Sequence, residues 1–242
     1  MKLDLNCDLG EGEAWERTRS LLRWITSASL ACGGHAGDLA SMRQAVRLAR
    51  RQGVRIGAHP GAPDRAEFGR ATLQLSPDEL EFLLLQQVGT LERVARLEGV
   101  RLHHVKLHGA LYHASESDEA LARGYVQAAR RWWPQCLLYV KAGGRVERLA
   151  RRLAVRAWGE IFADRAYQDD GTLVPRGRPG AVLHDPARAR QRVELYQERG
   201  ELETESGRRI AVRARTICVH SDTPSAPELA RAVSLALARR RG

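Results

Sequence analysis

Short stretches in which apolar and polar residues alternate recur along the chain, and most are followed by a longer stretch with helical spacing. The alternating stretches are KLDLNCD (2–8), ITSASLACG (25–33), VRIGAHPG (54–61), RLHHVKLHG (101–109), CLLYVKAGG (136–144), VRAWGEIFAD (155–164) and RTICVHSD (215–222). Each reads as a strand. Helical patterns cover LASMRQAVRLARRQG, closed by Gly53, and a segment starting at the Ser76 cap. That cap has Pro77 at the first helical position and Glu79 three residues on, and the helix ends at Gly99. Further helices are expected from about Ser117 to Trp133, up to about Leu153, over 185–200, and over 226–240. Strands alternating with helices imply βαβ units and a parallel sheet. Seven core strands without a GxGxxG string favour a closed β/α barrel of TIM type over a Rossmann sheet, in a single domain spanning 1–242. Two extended runs around Ser206-Gly207 predict a small β-hairpin near the C-terminus. Residues 165–184 lack periodicity and read as a functional loop or lid.

Period two also sorts the strand faces. Leu3, Leu5 and Cys7 share one side of the first strand; Asp4, Asn6 and Asp8 share the other. Arg55, Gly57 and His59 align in the third strand, His104, Lys106 and His108 in the fourth, and Thr216, Cys218, His220 and Asp222 in the last. The apolar sides belong against the helices, so the polar sides face the barrel lumen. A lumen is ordinarily packed with branched aliphatic residues. A polar one is costly unless its groups pair or bind something. Nearly every strand also ends in an ionisable residue: Asp8, His35, His59, Lys106 with His108, Lys141, Glu160 with Asp164, and His220 with Asp222. A barrel gathers these ends at one rim, where the following loops meet. The pattern points to an enzyme.

Composition changes this picture little. The net charge of +10 raises nucleic-acid binding, but the arginines are interleaved with Ala and Leu through the helices and aromatics are scarce, which argues against it. Of 39 basic residues only Lys2, Lys106 and Lys141 are lysine, and two of these end strands. An ammonium is a compact point charge where a guanidinium is a planar fork, so Lys106 and Lys141 mark positions that require the former. Cys7, Cys32, Cys136 and Cys218 form no CxxC pair and read as buried small hydrophobes. No apolar run of about 18 residues predicts a membrane span, and the N-terminus does not read as a signal peptide, so the cytoplasm is expected. Several groups have plain structural alternatives: Asp38 as a helix cap, Asp64 with Arg70 and Asp164 with Arg165 as ion pairs, and His103 on an outer face. His113 and His184 are left out of the site.

Six ordered strings carry a resemblance: DLNCDLGEGE (4–13), SASLACGGHAGD (27–38), IGAHPGAPDRAEFGR (56–70), HVKLHGALYH (104–113), EIFADRAYQDDGTLVPRGRPGA (160–181) and ICVHSDTPSA (217–226). Together they resemble the LamB/YcsF family over essentially the whole chain. The resemblance implies a seven-stranded β/α barrel that serves as the A subunit of an ATP-dependent 5-oxoprolinase, opening 5-oxo-L-proline to L-glutamate. It implies two partner subunits, B and C, and ATP, with Mg, as co-substrate. The chain departs from the family at Gly34 and Ala62, where aromatics are usual, and at Leu107, His113 and Ser221. Loss of the aromatics is expected to widen the pocket. Such chemistry needs cations for phosphate, a base for water and a proton donor for the departing nitrogen. Lys106 and Arg165 are candidates for phosphate or carboxylate binding. Asp8, Glu160 and Asp222 are candidate bases or metal ligands, and His59, His108 and His220 candidate proton shuttles. Glu11, His35 and Asp164 complete the candidate catalytic set. There is no P-loop string; Lys141-Ala142-Gly143-Gly144 offers an ammonium and backbone amides to a phosphate, or the partners hold ATP. A second reading is a metal-dependent amide or sugar deacetylase with Asp8, His104 and His108 as ligands. A third is a binding subunit without a catalytic step.

Overall fold

The structure is a computed structural model that describes residues 3–238. Lys2, at the start of the first predicted strand, and Arg239 and Arg240, at the end of the last predicted helix, lie outside the described residues.

Seven parallel strands close into a barrel in the order β1 (Asp4–Leu9), β2 (Ser27–Ala31), β3 (Arg55–His59), β4 (His104–Val105), β5 (Leu137–Lys141), β6 (Ala157–Phe162) and β9 (Thr216–Val219), with β9 pairing back onto β1. The outer layer comprises α1 (Trp15–Leu22), α2 (Leu39–Arg51), α3 (Pro77–Leu97), α4 (Gly109–Ser117), α5 (Glu119–Trp132), α6 (Arg145–Arg152), α7 (Pro186–Arg199) and α8 (Ala226–Ala238). A separate antiparallel pair, β7 (Glu201–Glu203) and β8 (Arg209–Ala211), is the expected hairpin, turning at Gly207. No helix among the described residues is long and apolar enough to cross a membrane.

The helices form where local chemistry supports them. Ser76 caps α3 through the Glu79 amide, and the Glu79 carboxylate returns to the Ser76 amide. Asp38 caps α2 in the same reciprocal way with Ser41, which settles its role as structural. The predicted helix from Ser117 to Trp133 is in fact two: Asp118 accepts from the Ala120 and Leu121 amides, ending α4 and starting α5. Helix α1 has no sequence signal because its N-cap, Ala14, makes no side-chain cap and only Thr18, Leu21 and Leu22 are buried. Strand β4 shrinks to two residues, yet Lys106 and His108 still donate their amides to the Ala58 and Pro60 carbonyls. The fourth strand's path therefore stays extended beside β3 up to the rim.

Two interiors coexist. Between barrel and helices lies an apolar layer that includes Leu5, Cys7, Leu30, Ile56, Val105, Leu138, Ile217 and the buried faces of the helices. All four cysteines are free and buried. Inside the barrel the lining is polar, as the strand parity predicts. At its base Asp4 accepts from Ser27 Oγ (2.7 Å), Thr216 Oγ1 (2.7 Å), Tyr139 OH (2.9 Å) and Arg55 (2.7 Å). Above this plug the His104 ring stacks on Tyr139 at 3.9 Å and its Nε2 meets Ser29 Oγ at 3.1 Å. Residue 57 must be glycine here: a Cβ would come within 2.3 Å of the His104 ring. His103, expected on the outer face, belongs to this base, with its Nδ1 3.4 Å from Tyr139 OH and its Nε2 3.4 Å from Arg55.

Candidate active site at the barrel mouth

The lumen network rises to Lys106, which is 2 % exposed. Its Nζ lies 2.9 Å from Asp8 Oδ1, 3.0 Å from Glu160 Oε1, 3.3 Å from Asn6 Oδ1 and 3.1 Å from Cys218 Sγ. Burial works against a charged lysine, but the Asp8 and Glu160 carboxylates outweigh it and hold Lys106 well above its ordinary range. Burial likewise pushes the Asp8 carboxyl up, and His59 and Lys106 beside it carry it well below the carboxylate range. Glu160 is moved the other way: burial raises it despite Lys106, and among the described residues its Oε2 has no hydrogen-bond partner. Asn6 holds the remaining oxygen, donating to Glu160 Oε1 at 2.9 Å and Thr216 Oγ1 at 2.7 Å.

On one side of Lys106 three histidines meet Glu11. His59 Nδ1 donates to the Lys106 carbonyl (2.8 Å) and His108 Nε2 to the Phe68 carbonyl (2.9 Å). His59 Nε2 and His108 Nδ1 then face each other at 3.0 Å. Glu11 Oε1 is 2.9 Å from His35 Nε2, 3.4 Å from His108 Nδ1 and 3.7 Å from His59 Nε2. Burial pushes His35 and His108 down to about 4 and His59 well below its usual value, and it raises Glu11 to about 7. His35 fits because Gly61 leaves room; a Cβ there would sit 2.2 Å from His35 Nδ1. Gln87 of α3 fixes this loop by accepting from the Gly61 amide (3.0 Å) and donating to its carbonyl (2.8 Å).

On the other side His220 stacks on Phe162 and its Nδ1 lies 2.9 Å from Asp164 Oδ2. Burial raises Asp164, and the His220 contacts outweigh it, so Asp164 stays below the usual range. An ionised Asp164 takes the Nδ1 hydrogen, which leaves His220 Nε2 as the nitrogen able to exchange a proton. A cavity of about 380 Å³ opens onto Asp8, His59, Lys106, His108 and His220. The 165–184 loop forms one wall through Leu173, Val174, Pro175 and Arg176. Asp222 latches that loop, accepting from Arg176 and Arg70 at 2.9 Å each.

The structure thus brings Asp8, Glu11, His35, His59, Lys106, His108, Glu160, Asp164 and His220 together. Asp222 sits at the rim as an ion-pair partner and does not line the cavity. Arg165 makes no ion pair with Asp164; its guanidinium donates to the Val174 and Ala181 carbonyls and braces the loop. Asp64 does not pair with Arg70 but accepts from the Glu67 amide. Lys141, Gly143 and Gly144 line a neighbouring cavity of about 520 Å³. The amides expected to cradle phosphate there are taken: Gly143 N donates to Glu147, Arg145 N to Glu116 and Gly144 N to the Lys141 carbonyl. His104 lies among the lower lumen residues, outside the cavity, so the Asp8, His104 and His108 ligand set is not assembled. Gly34 and Ala62 do not line the cavity either. A Cβ on Gly34 would meet the Gly61 carbonyl at 2.3 Å and Gln87 at 2.5 Å, so Gln87 fills the space beside it. His113, set aside on sequence grounds, lines both cavities. Asn6 and Cys218 carried the only available signal, their place on the polar strand faces; Arg176 and Gln87 carried none that names a partner.

The model of the LamB/YcsF family matches residues 3–241. The chain belongs to this family. Among its members, the 5-oxoprolinase A subunit of Bordetella pertussis is 45 % identical over 240 residues, covering 98 % of this chain and 95 % of that protein. The 5-oxoprolinase A subunit of Pyrococcus furiosus is 44 % identical over 232 residues, covering 95 % of this chain and 91 % of that protein. The crystal structure of a lactam utilization protein from Thermus thermophilus superposes with a TM-score of 0.92 at 42 % identity, covering 99 % of this chain and 97 % of that one. The LamB/YcsF barrel therefore extends over the described chain.

Proposed function

We propose that this chain is the A subunit of an ATP-dependent 5-oxoprolinase that opens 5-oxo-L-proline to L-glutamate in the cytoplasm, together with partner subunits B and C. The observation that carries the reading is a buried ammonium with an ionised carboxylate, beside a carboxylate-oriented histidine, around a cavity of small-molecule size. Membership of the family and the names of its relatives supply the reaction; the site supplies groups suited to it.

A five-membered lactam is a stable amide, and transfer of the ATP γ-phosphoryl group to its oxygen weakens it. Water then attacks the ring carbon and loses a proton to a base. The carbon–nitrogen bond breaks as the nitrogen takes a proton, which leaves an acyl phosphate. A second water releases phosphate and glutamate. Asp8, which lines the cavity beside Lys106, is the carboxylate placed to accept the water's proton. His220, held by Asp164, is the proton donor to nitrogen. Lys106 supplies fixed positive charge below the reacting carbonyl. Arg70 and Arg176 at the mouth are suited to the substrate carboxylate or a transferred phosphoryl group. ATP, with Mg, is held by the partners or at their junction with this chain. Lys141 in the neighbouring cavity is a side-chain cation suited to phosphate, with Gly143 and Gly144 beside it, while Arg165 lines the mouth cavity.

The test is reconstitution with B and C subunits, following glutamate release from 5-oxoproline with and without ATP. ATP-dependent release, lost on Lys106→Ala or His220→Gln in a folded chain, is expected. Release of acetate from N-acetylated sugars by the chain alone, with no lactam opening, would overturn the reading in favour of a deacetylase.

A further inference from the structure

The facing nitrogens of His59 and His108 pose a chemical problem. A carbonyl oxygen only accepts, so the hydrogen of neutral His59 is on Nδ1, against the Lys106 carbonyl, and that of neutral His108 is on Nε2, against the Phe68 carbonyl. Both remaining nitrogens, His59 Nε2 and His108 Nδ1, present bare lone pairs to each other at 3.0 Å. Glu11 Oε1 adds a carboxyl oxygen, at 3.4 Å from His108 Nδ1 and 3.7 Å from His59 Nε2. Asp8 Oδ2 lies 3.4 Å from His59 Nε2. Acceptors converge on one point, and among the described residues no other side-chain donor is directed between the two nitrogens. A single proton satisfies one nitrogen pair and leaves the carboxylate contacts unanswered. A dication answers all of them.

We propose that His59 Nε2, His108 Nδ1 and Glu11 Oε1 bind one divalent transition-metal ion of the zinc, cobalt or manganese type, with its open side toward Asp8 and the cavity. Ligand atoms around a tetrahedral ion with bonds of about 2.0–2.1 Å stand roughly 3.3 Å apart; the three separations here, 3.0, 3.4 and 3.7 Å, bracket that value. The His59 and His108 rings are at 89° to each other, so one ion can lie in both ring planes. The backbone carbonyls behind both rings are the outer partners that fix a ligating tautomer. His35 has a different part. Its ring is stacked parallel on His108 at 3.7 Å, so no single ion lies in both planes. Its Nε2 hydrogen instead goes to Glu11 Oε1 at 2.9 Å, which makes it a positioning residue for the carboxylate. A second convergence of possible ligands, Asp8 with Cys218 and His220, already has its cation: Lys106 Nζ sits 3.1 Å from Cys218 Sγ and 2.9 Å from Asp8.

The purpose of the ion rests on the reaction proposed above, where it would face the cavity that holds the lactam; its binding does not. The experiment uses the full chain, stripped with chelator and titrated with Co²⁺ and Zn²⁺. One equivalent per chain with Kd in the micromolar range or tighter, and a cobalt spectrum of nitrogen–oxygen ligation, is expected. His59→Ala and His108→Ala should each weaken Zn²⁺ binding at least ~100-fold, and His35→Ala about 10- to 100-fold with the stoichiometry kept. Circular dichroism checks that the variants fold; if one does not, X-ray absorption on the unaltered cobalt-loaded chain counts its imidazoles, two being expected. Failure to bind an equivalent below about 100 µM overturns the site, as does equal binding by folded His59→Ala and His108→Ala chains. Imidazole ¹⁵N shifts showing a doubly protonated ring in the stripped chain at about pH 7.5 also overturn it. Metal bound as described with no glutamate release by the reconstituted complex would sink the function and leave the site. Full glutamate release by a chain that binds no metal would do the reverse.

Discussion

Lys106 concentrates the electrostatics of the mouth. It stands almost fully buried between two carboxylates, so each charge depends on the others. Lys106→Met leaves Asp8 and Glu160 without their cation. A loss of about 3–5 kcal/mol in unfolding free energy is expected by urea titration at pH 7, together with loss of turnover. If the variant unfolds at the wild-type midpoint, Lys106 does not neutralise those carboxylates. Asp164 acts through His220, and Asp164→Asn offers the ring an amide that can present either a donor or an acceptor. A fall in kcat of about 10²- to 10⁴-fold with KM little changed is expected from steady-state rates of the reconstituted enzyme. At this scale strand parity foretold which residues face inward, since side chains on a strand alternate without regard to partners. It did not foretell who touches whom: Arg70 meets Asp222, 152 residues away, and Asp64 stays with its own turn.

Among the elements, the 165–184 loop is tied to the mouth by Asp222 alone among the described carboxylates at 2.9 Å from Arg70 and Arg176. These side chains are partly exposed, so the latch adds less than about 1 kcal/mol to stability. Its effect falls on the cavity wall. Asp222→Asn should speed amide hydrogen exchange over 172–178 and raise KM several-fold, with the melting temperature nearly unchanged; unaltered exchange would refute a latch. Helices α2 and α3 are joined by Glu98, which accepts from Arg47 and Arg43 at 2.9 and 2.6 Å. Those hydrogen bonds hold its carboxyl down at about 2. A lowered folded-state pKa means the contribution is fully present above the ordinary glutamate range and is lost as pH falls through about 2. The stability gap between wild type and Glu98→Gln, read from denaturant midpoints, should therefore be present at pH 7 and close in strong acid. Capped helices such as α3 were legible because a cap is a local signal. Helix α1 and the division of α4 from α5 were not, because packing and one aspartate decided them.

For the molecule as a whole, the barrel turns local strand parity into a common enclosure. Seven strand ends meet at one rim because β9 closes onto β1. The enclosure by itself offers no P-loop, and its glycine-flanked helix start at Gly144 is occupied by Glu116. The isolated chain is accordingly expected to release no phosphate from ATP above background. Glutamate and phosphate should be released together only once B and C subunits are added, measured by coupled assay; phosphate release by the chain alone would place the nucleotide site here.

The amino-acid sequence alone determined the alternation of strands and helices, the barrel class, the polar side of each strand and the ordered strings that mark the family. These depend on period, caps and residue identity, all of which are local. Only the tertiary structure decided that Gln87 fills the space at Gly34, that His104 lies low in the lumen, and that His59 and His108 present bare nitrogens to each other. Those outcomes depend on contacts between residues far apart in the chain, whose distances come into being when the barrel closes.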